Sequence, residues 1–326
     1  MITTVIGNYP KIPNLPRPAK LRNALNRFDR EEITLDELKQ VLDEVSLEVI
    51  EEQIEAGVNL ITDGMIRWED GQTYIARGIG GFSINGLIRY FDSNTYFRQP
   101  VVEGELFWKG PITVKDYLFA KERSKVPMKA VLTGPYTLSV LSKDLYYKEK
   151  GRLVMDLAKI LTKEAKELVE AGAPWIQFDE PALLKNKKDL PLVQQSYEEI
   201  TRDLKGKTAV AFYFGNMEGI YPQILELPVD CISLDFVMGE KNFEILKKGS
   251  FDKVLGFGIV DARNTKMESV DEIVEKIGEI GKIVPFERLQ VSPNCGLEFL
   301  PREVAYEKLV QMVKGVEKAR EKYGVQ

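Results

Sequence analysis

The chain has 326 residues and a formal net charge of −5, from 45 Lys and Arg against 50 Asp and Glu, with no His and two Cys. That balance excludes a basic nucleic-acid surface, and two widely separated cysteines exclude a disulfide framework. The lack of imidazole excludes Ser-His-Asp and Cys-His catalysis and every histidine-dependent zinc site, leaving acid–base work to Asp, Glu, Lys, Tyr or Cys.

The opening MITTVIGNYP reads as a first strand over residues 2–6. It lacks the charged start and apolar stretch of a signal peptide, so the cytoplasm is the expected location. A helix follows in which Leu35, Leu38, Leu42, Val45 and Val49 form one apolar stripe, begun by a Thr34–Glu37 capping box. Further short apolar runs at 58–62, 128–133, 175–178, 209–214, 231–234, 254–259 and 289–291 read as strands buried on both faces. Ser269 with Glu272 repeats the capping box near the seventh helix, and Pro301 suits the first turn of the last, where Leu309, Met312, Val313 and Val316 share a face. No apolar run reaches the ~18 residues of a membrane span. Hydrophobic residues make up 44% of the chain, enough for a large core, and the 29% charged residues, rich in Lys and Glu, lean towards a thermophilic source.

Eight strand–helix units predict a single (β/α)8 TIM barrel over residues 1–326, with an open doubly wound sheet as the runner-up. The rhythm fails over 64–126, where GIGGF, RYFDSNTYF and ELFWKG occur; this stretch is expected to be an insertion after strand 2 at the barrel mouth, with room for a hairpin.

In such a barrel the C-terminal strand ends carry the chemistry. Here they supply Asn8 and Tyr9, Asp63, the Gly134-Pro135-Tyr136-Thr137 turn, Asp179 and Glu180, Asn216, Asp235, Asp261 and Arg263, and Asn294 and Cys295. Asp179 and Glu180 can hold a cationic group or move a proton, or Asp179 can simply cap a helix. Asp63 before Gly64 is also a common turn pair. Asp261 and Arg263 can form a structural ion pair. Cys231, inside an apolar strand, reads as a core residue. Cys295, in a Pro-Asn-Cys-Gly loop, is a more suggestive thiol but has no histidine partner.

TTVIGNYPK, ITLDELKQVLDEVSLEVIEEQIEAGVNLITDG, LTGPYTL, AGAPWIQFDEPAL and VSPNCGLEFLPREVAYEKL together resemble the cobalamin-independent methionine synthases over nearly the whole chain. GFGIVDARN is closer to that family's amino-terminal half-domain than to its catalytic half. The likeness suits a single-barrel, archaeal-type or amino-terminal-domain-like member. It implies a (β/α)8 fold and, in the family's catalytic barrel, a zinc ion held by His and Cys after strand five, Glu after strand six and the Cys of the closing loop. That zinc makes homocysteine a thiolate, which takes the methyl group of a methyl-folate.

In this sequence the strand-five pair falls on about Tyr213 and Gly215, the strand-six acid is Asp235, and the closing cysteine is Cys295. Asp235 and Cys295 are therefore the weak metal candidates, and zinc is doubtful. The acid that holds the homocysteine amino group after strand two is Met65 here, while the Asp of DEPA survives as Asp179. A folate-contacting acid falls on about Lys185, which with Lys187 and Lys188 would suit a polyanionic methyl-pterin donor. The expected sites are thus Asp179, Glu180 and Cys295 for catalysis, and Asn8, Tyr9, Asp63, Asp261, Arg263 and Lys185 for substrate. The implied role is methyl transfer to homocysteine, as a zinc-deficient companion to a separate zinc-bearing methionine synthase barrel. The alternatives are an independently active S-methyltransferase with a reworked site and, more distantly, a related barrel decarboxylase.

Overall fold

The computed structural model describes residues 1–17 and 19–325. Among these, the strands in chain order are β1 Ile2–Thr3, β2 Ile79–Arg89, β3 Tyr96–Trp108, β4 Ala130–Thr133, β5 Lys143–Asp144, β6 Trp175–Asp179, β7 Lys207–Phe212, β8 Cys231–Asp235, β9 Val254–Val260 and β10 Leu289–Pro293. Seven of them lie side by side in the order β1-β10-β9-β8-β7-β6-β4. The pairs β1/β10, β4/β6, β6/β7 and β7/β8 are parallel. Apart from end residues, β4, β6, β7, β8 and β10 are buried throughout, which is why they read as unbroken apolar runs.

The chain divides into two compact units. The first comprises residues 1–67, 119–128 and 257–326. Its helix Leu35–Glu55 begins with the expected capping box: Glu37 N–H donates to Thr34 Oγ1 at 3.2 Å and Thr34 N–H donates to Glu37 Oε2 at 2.7 Å. Ser269 and Glu272 do the same for the helix Val270–Ile280. Pro301 sits one residue earlier than expected, as the N-cap of the helix Arg302–Tyr323.

The run at 58–62 is not a regular strand; only Leu60 and Ile61 make isolated parallel bridges, to Thr4 and Met128. At the end of this run the buried Gln53 intervenes. Its side chain takes Thr62's N–H on Oε1 at 3.2 Å and gives Nε2–H to Thr62's carbonyl at 3.0 Å, replacing ladder bonds.

The second unit comprises residues 68–118 and 129–256. Its helix Lys150–Glu170 buries Leu153, Leu157, Leu161, Ala165 and Leu168, spaced four and three apart as a packed helix face requires. Within the Gly-rich, aromatic stretch, β2 and β3 pair as an antiparallel hairpin, and β3 also pairs in parallel with β5. The far end of this hairpin is fastened by the fully buried Glu164. Its carboxylate accepts from Ile112 N at 2.9 Å, Thr113 N at 2.7 Å, Thr113 Oγ1 at 2.9 Å and Trp108 Nε1 at 3.2 Å. Among the described residues no helix is long and apolar enough to cross a membrane.

Candidate functional site

In the second unit the site is built around the end of β6. Asp179 is the last residue of that strand and is partly exposed. Its Oδ1 accepts from Gln177 Nε2 at 2.7 Å and its Oδ2 from the Tyr213 hydroxyl at 3.3 Å. Tyr213 in turn shares a 3.1 Å hydrogen bond with the hydroxyl of Tyr90, at the end of β2. Tyr90, Phe91, Tyr213 and Phe214 pack edge to face around this pair, with ring centroids 4.7 to 6.3 Å apart. The result is a carboxylate held between an amide and a phenol beneath an aromatic wall, suited to an ammonium group beside an apolar side chain.

Glu180 faces the opposite way. It is fully buried and accepts from Tyr136 N–H at 3.0 Å and Thr137 N–H at 2.7 Å, the first free amides of the helix Pro135–Leu141. Burial pushes its carboxyl up to about 7, against the downward pull of these hydrogen bonds and those of the Thr137 and Tyr197 hydroxyls. Gly134 makes the approach possible: a Cβ there would lie 2.3 Å from the Glu180 carboxyl carbon.

Asp235, at the end of β8, spends its oxygens on backbone. Oδ1 accepts from Val237 N–H at 2.9 Å and Met238 N–H at 2.8 Å, and Oδ2 accepts from Phe214 N–H at 3.0 Å. Phe214 has a φ of 68°, a left-handed conformation uncommon for an aromatic residue, and the Asp235 bond helps hold it. Lys185 is exposed and lies 3.3 Å from the equally exposed Asp92. Lys187 reaches the Glu218 carbonyl at 2.8 Å.

In the first unit, Asn8 Nδ2 donates to Glu298 Oε1 at 3.1 Å. The Glu298 carboxyl is raised to about 6 by burial. Tyr9 is buried, and burial together with the neighbouring Glu52 raises its hydroxyl far above the ordinary tyrosine range. Asp63 Oδ1 accepts from Met65 N–H at 3.0 Å, closing a turn in which Gly64 and Met65 both take positive φ. Asp261 accepts from the backbone N–H of Arg263 at 2.9 Å, and the Arg263 guanidinium lies 5.7 Å from the Phe299 ring centroid. Cys295 is fully buried, its thiol 3.6 Å from the Gly296 carbonyl.

Of the expected residues, the structure sets Asp179 in this cluster and Glu180 behind it, while Tyr213, read from the sequence only as the place of a lost zinc ligand, joins Asp179. Sequence reasoning passed over Gln177, Lys129 and Tyr90. Gln177 precedes Asp179 by two and so leaves the same face of the strand. Lys129 is a lone charge in an otherwise apolar run. Tyr90 lies in the RYFDSNTYF run, which marks an aromatic stretch without singling out that residue.

The family described as "Cobalamin-independent synthase, Catalytic domain" matches residues 1–318. A methionine synthase of Saccharolobus solfataricus is 36% identical over 321 residues, covering 98% of this chain and 95% of that protein. One of Sulfurisphaera tokodaii is 34% identical over 98% of this chain and 92% of its own length. Among solved structures, a B12-independent methionine synthase from Shewanella sp. W3-18-1 in complex with selenomethionine superimposes with a TM-score of 0.86, covering 99% of both chains at 23% identity. A methyltransferase from Methanosarcina mazei shares the fold at a TM-score of 0.60 and 15% identity, over 99% of this chain and 94% of that one. The chain belongs to the cobalamin-independent methionine synthase family.

The zinc that the family resemblance implies does not fit the donors present. Gly215 offers no side chain, Tyr213 is hydrogen-bonded to a carboxylate and a phenol, and both Asp235 oxygens serve backbone amides. Among the described residues no group of three or more His, Cys, Asp and Glu side chains is arranged to hold a metal ion.

Proposed function

We propose that this protein takes part in methyl transfer to homocysteine in methionine biosynthesis, as a ligand-binding companion of a separate zinc-bearing barrel. The observation that carries this reading is the pairing of a preserved Asp179 with a spent Asp235. The first carboxylate is oriented and partly exposed, and the second is consumed by three backbone amides. Asp179 holds the amino group of the amino acid. The Tyr90, Phe91 and Phe214 rings flank its side chain, and Lys185 with Lys187 and Lys188 attracts an anionic methyl-pterin.

The expected architecture goes with this reading: one (β/α)8 barrel over 1–326, with Leu60 and Ile61 at the second strand position, bridged to Thr4 and Met128, and 64–126 inserted after it.

The test is a methyl-transfer assay with homocysteine and methyl-folate, using this chain alone, a zinc-bearing methionine synthase barrel alone, and both together. Binding of L-homocysteine without turnover by this chain, and faster turnover by the mixture, are expected. Turnover by this chain alone, with stoichiometric zinc, overturns the companion role. That outcome would establish the second reading, an independently active S-methyltransferase with a reworked site. The match to a catalytic-domain family over residues 1–318 is what favours it.

A further inference from the structure

Lys129 is a buried cation placed one amide away from Asp179. It stands immediately before β4 and is 4% exposed. Its Nζ donates to Gln177 Oε1 at 2.6 Å, and Gln177 Nε2 donates to Asp179 Oδ1 at 2.7 Å. Gln177, itself buried, pairs in register with Val131 of β4 and Ala209 of β7, and Ala209 pairs with Cys231 of β8. Its register partners in the sheet are thus apolar, and the polar groups that bond the amide are Lys129 and Asp179. Its dipole has its oxygen on the ammonium and its N–H on the carboxylate, so each hydrogen bond polarises the other. A buried ammonium is costly unless it is paired and hydrogen-bonded, and an apolar side chain at 129 would carry no such cost.

We propose that Lys129 and Gln177 are positioning residues for Asp179, fixing its carboxylate in one orientation for the ammonium group of an amino-acid ligand. The ligand part of this inference rests on the proposed function; the Lys129–Asp179 link does not. Burial lowers the Lys129 ammonium to about 8, while Cys231 and Asp179 act in the opposite direction. The Tyr213 hydroxyl holds the other Asp179 oxygen, so both oxygens are oriented by side-chain donors.

The test uses the full chain and two readouts. In ligand-free protein at neutral pH, the carboxyl 13C signal of Asp179, assigned with Asp179→Asn, is expected to move in Lys129→Met and to stay in place in Lys159→Met, a change at an exposed lysine. Calorimetric binding of L-homocysteine and L-methionine is expected to weaken about tenfold in Lys129→Met, the scale of one charge-linked hydrogen bond. In an Asp179→Asn background the same change is expected to cost less than about twofold, because the link is already cut. Where Lys129→Met alone fails to fold, Lys129→Met with Gln177→Leu removes both partners of the buried bond and takes its place. An Asp179 signal that ignores Lys129, or binding losses that multiply in the double variant, overturns the proposal. If the unmutated chain binds neither amino acid, the reading of Asp179 as an ammonium site falls, and the carboxyl signal by itself decides the role of Lys129.

Discussion

Glu180 and Thr137 are joined by a 2.7 Å hydrogen bond from the backbone N–H of Thr137 to Glu180 Oε2, so a carboxylate after β6 caps a helix that follows β4. Glu180→Ala removes that cap, strands two buried amides and leaves a void. The expected loss is about 3 kcal/mol of unfolding free energy, read as a lowered urea midpoint.

The same carboxyl gives a pH signature. Burial raises its folded-state value from 4.5 to about 7. Its neutral form is the one favoured by folding, so its contribution is fully present below pH 4.5 and is lost as pH rises through 7. The swing is on the order of 3 kcal/mol. Urea titrations between pH 4 and 8 on the wild type and on Glu180→Gln check this. The variant's profile is expected to be flatter across that window, and identical profiles would refute the assignment.

Gly134→Ala places a methyl carbon 2.3 Å from the Glu180 carboxyl carbon and forces the cap out. It is expected to cost about 2–3 kcal/mol, and to cost much less in a Glu180→Ala background. Denaturation midpoints of the four proteins in this cycle give the coupling.

Glu164→Ala unfastens the segment after β3 by freeing the amides of Ile112 and Thr113 and the Trp108 indole. Faster hydrogen exchange is expected at residues 108–113 before the β6 and β7 amides are affected, because fewer buried contacts then hold that segment. Exchange measured by mass spectrometry on both proteins resolves the difference.

Cys231 and Cys295 are both buried, and burial pushes the Cys231 thiol up to about 12. A disulfide reagent is expected to titrate no thiol in the native chain and both in urea. Rapid labelling of Cys295 in the native chain would show that its loop opens.

Much of the fold was legible in the sequence because it is encoded locally. The buried strands announce themselves as apolar runs, and both capping boxes lie within four consecutive residues. The 58–62 run pairs only at Leu60 and Ile61, and Gln53, outside it, takes the hydrogen bonds of Thr62, which no local pattern announces. The family, too, was visible from motifs such as AGAPWIQFDEPAL and VSPNCGLEFLPREVAYEKL, which are contiguous.

What the sequence by itself determined is therefore the α/β class, the starts of the helices capped by Thr34 and Ser269, the family and the absence of histidine at the expected ligand positions. The roles within the site were decided by tertiary structure. Lys129 meets Gln177 across 48 residues, Tyr136 meets Glu180 across 44, and Tyr90 meets Tyr213 across 123. Whether a carboxylate serves a ligand or a helix depends on which distant groups reach its lone pairs. Strand periodicity places Asp179 and Glu180 on opposite faces, and only the packed neighbours of each face supply those groups.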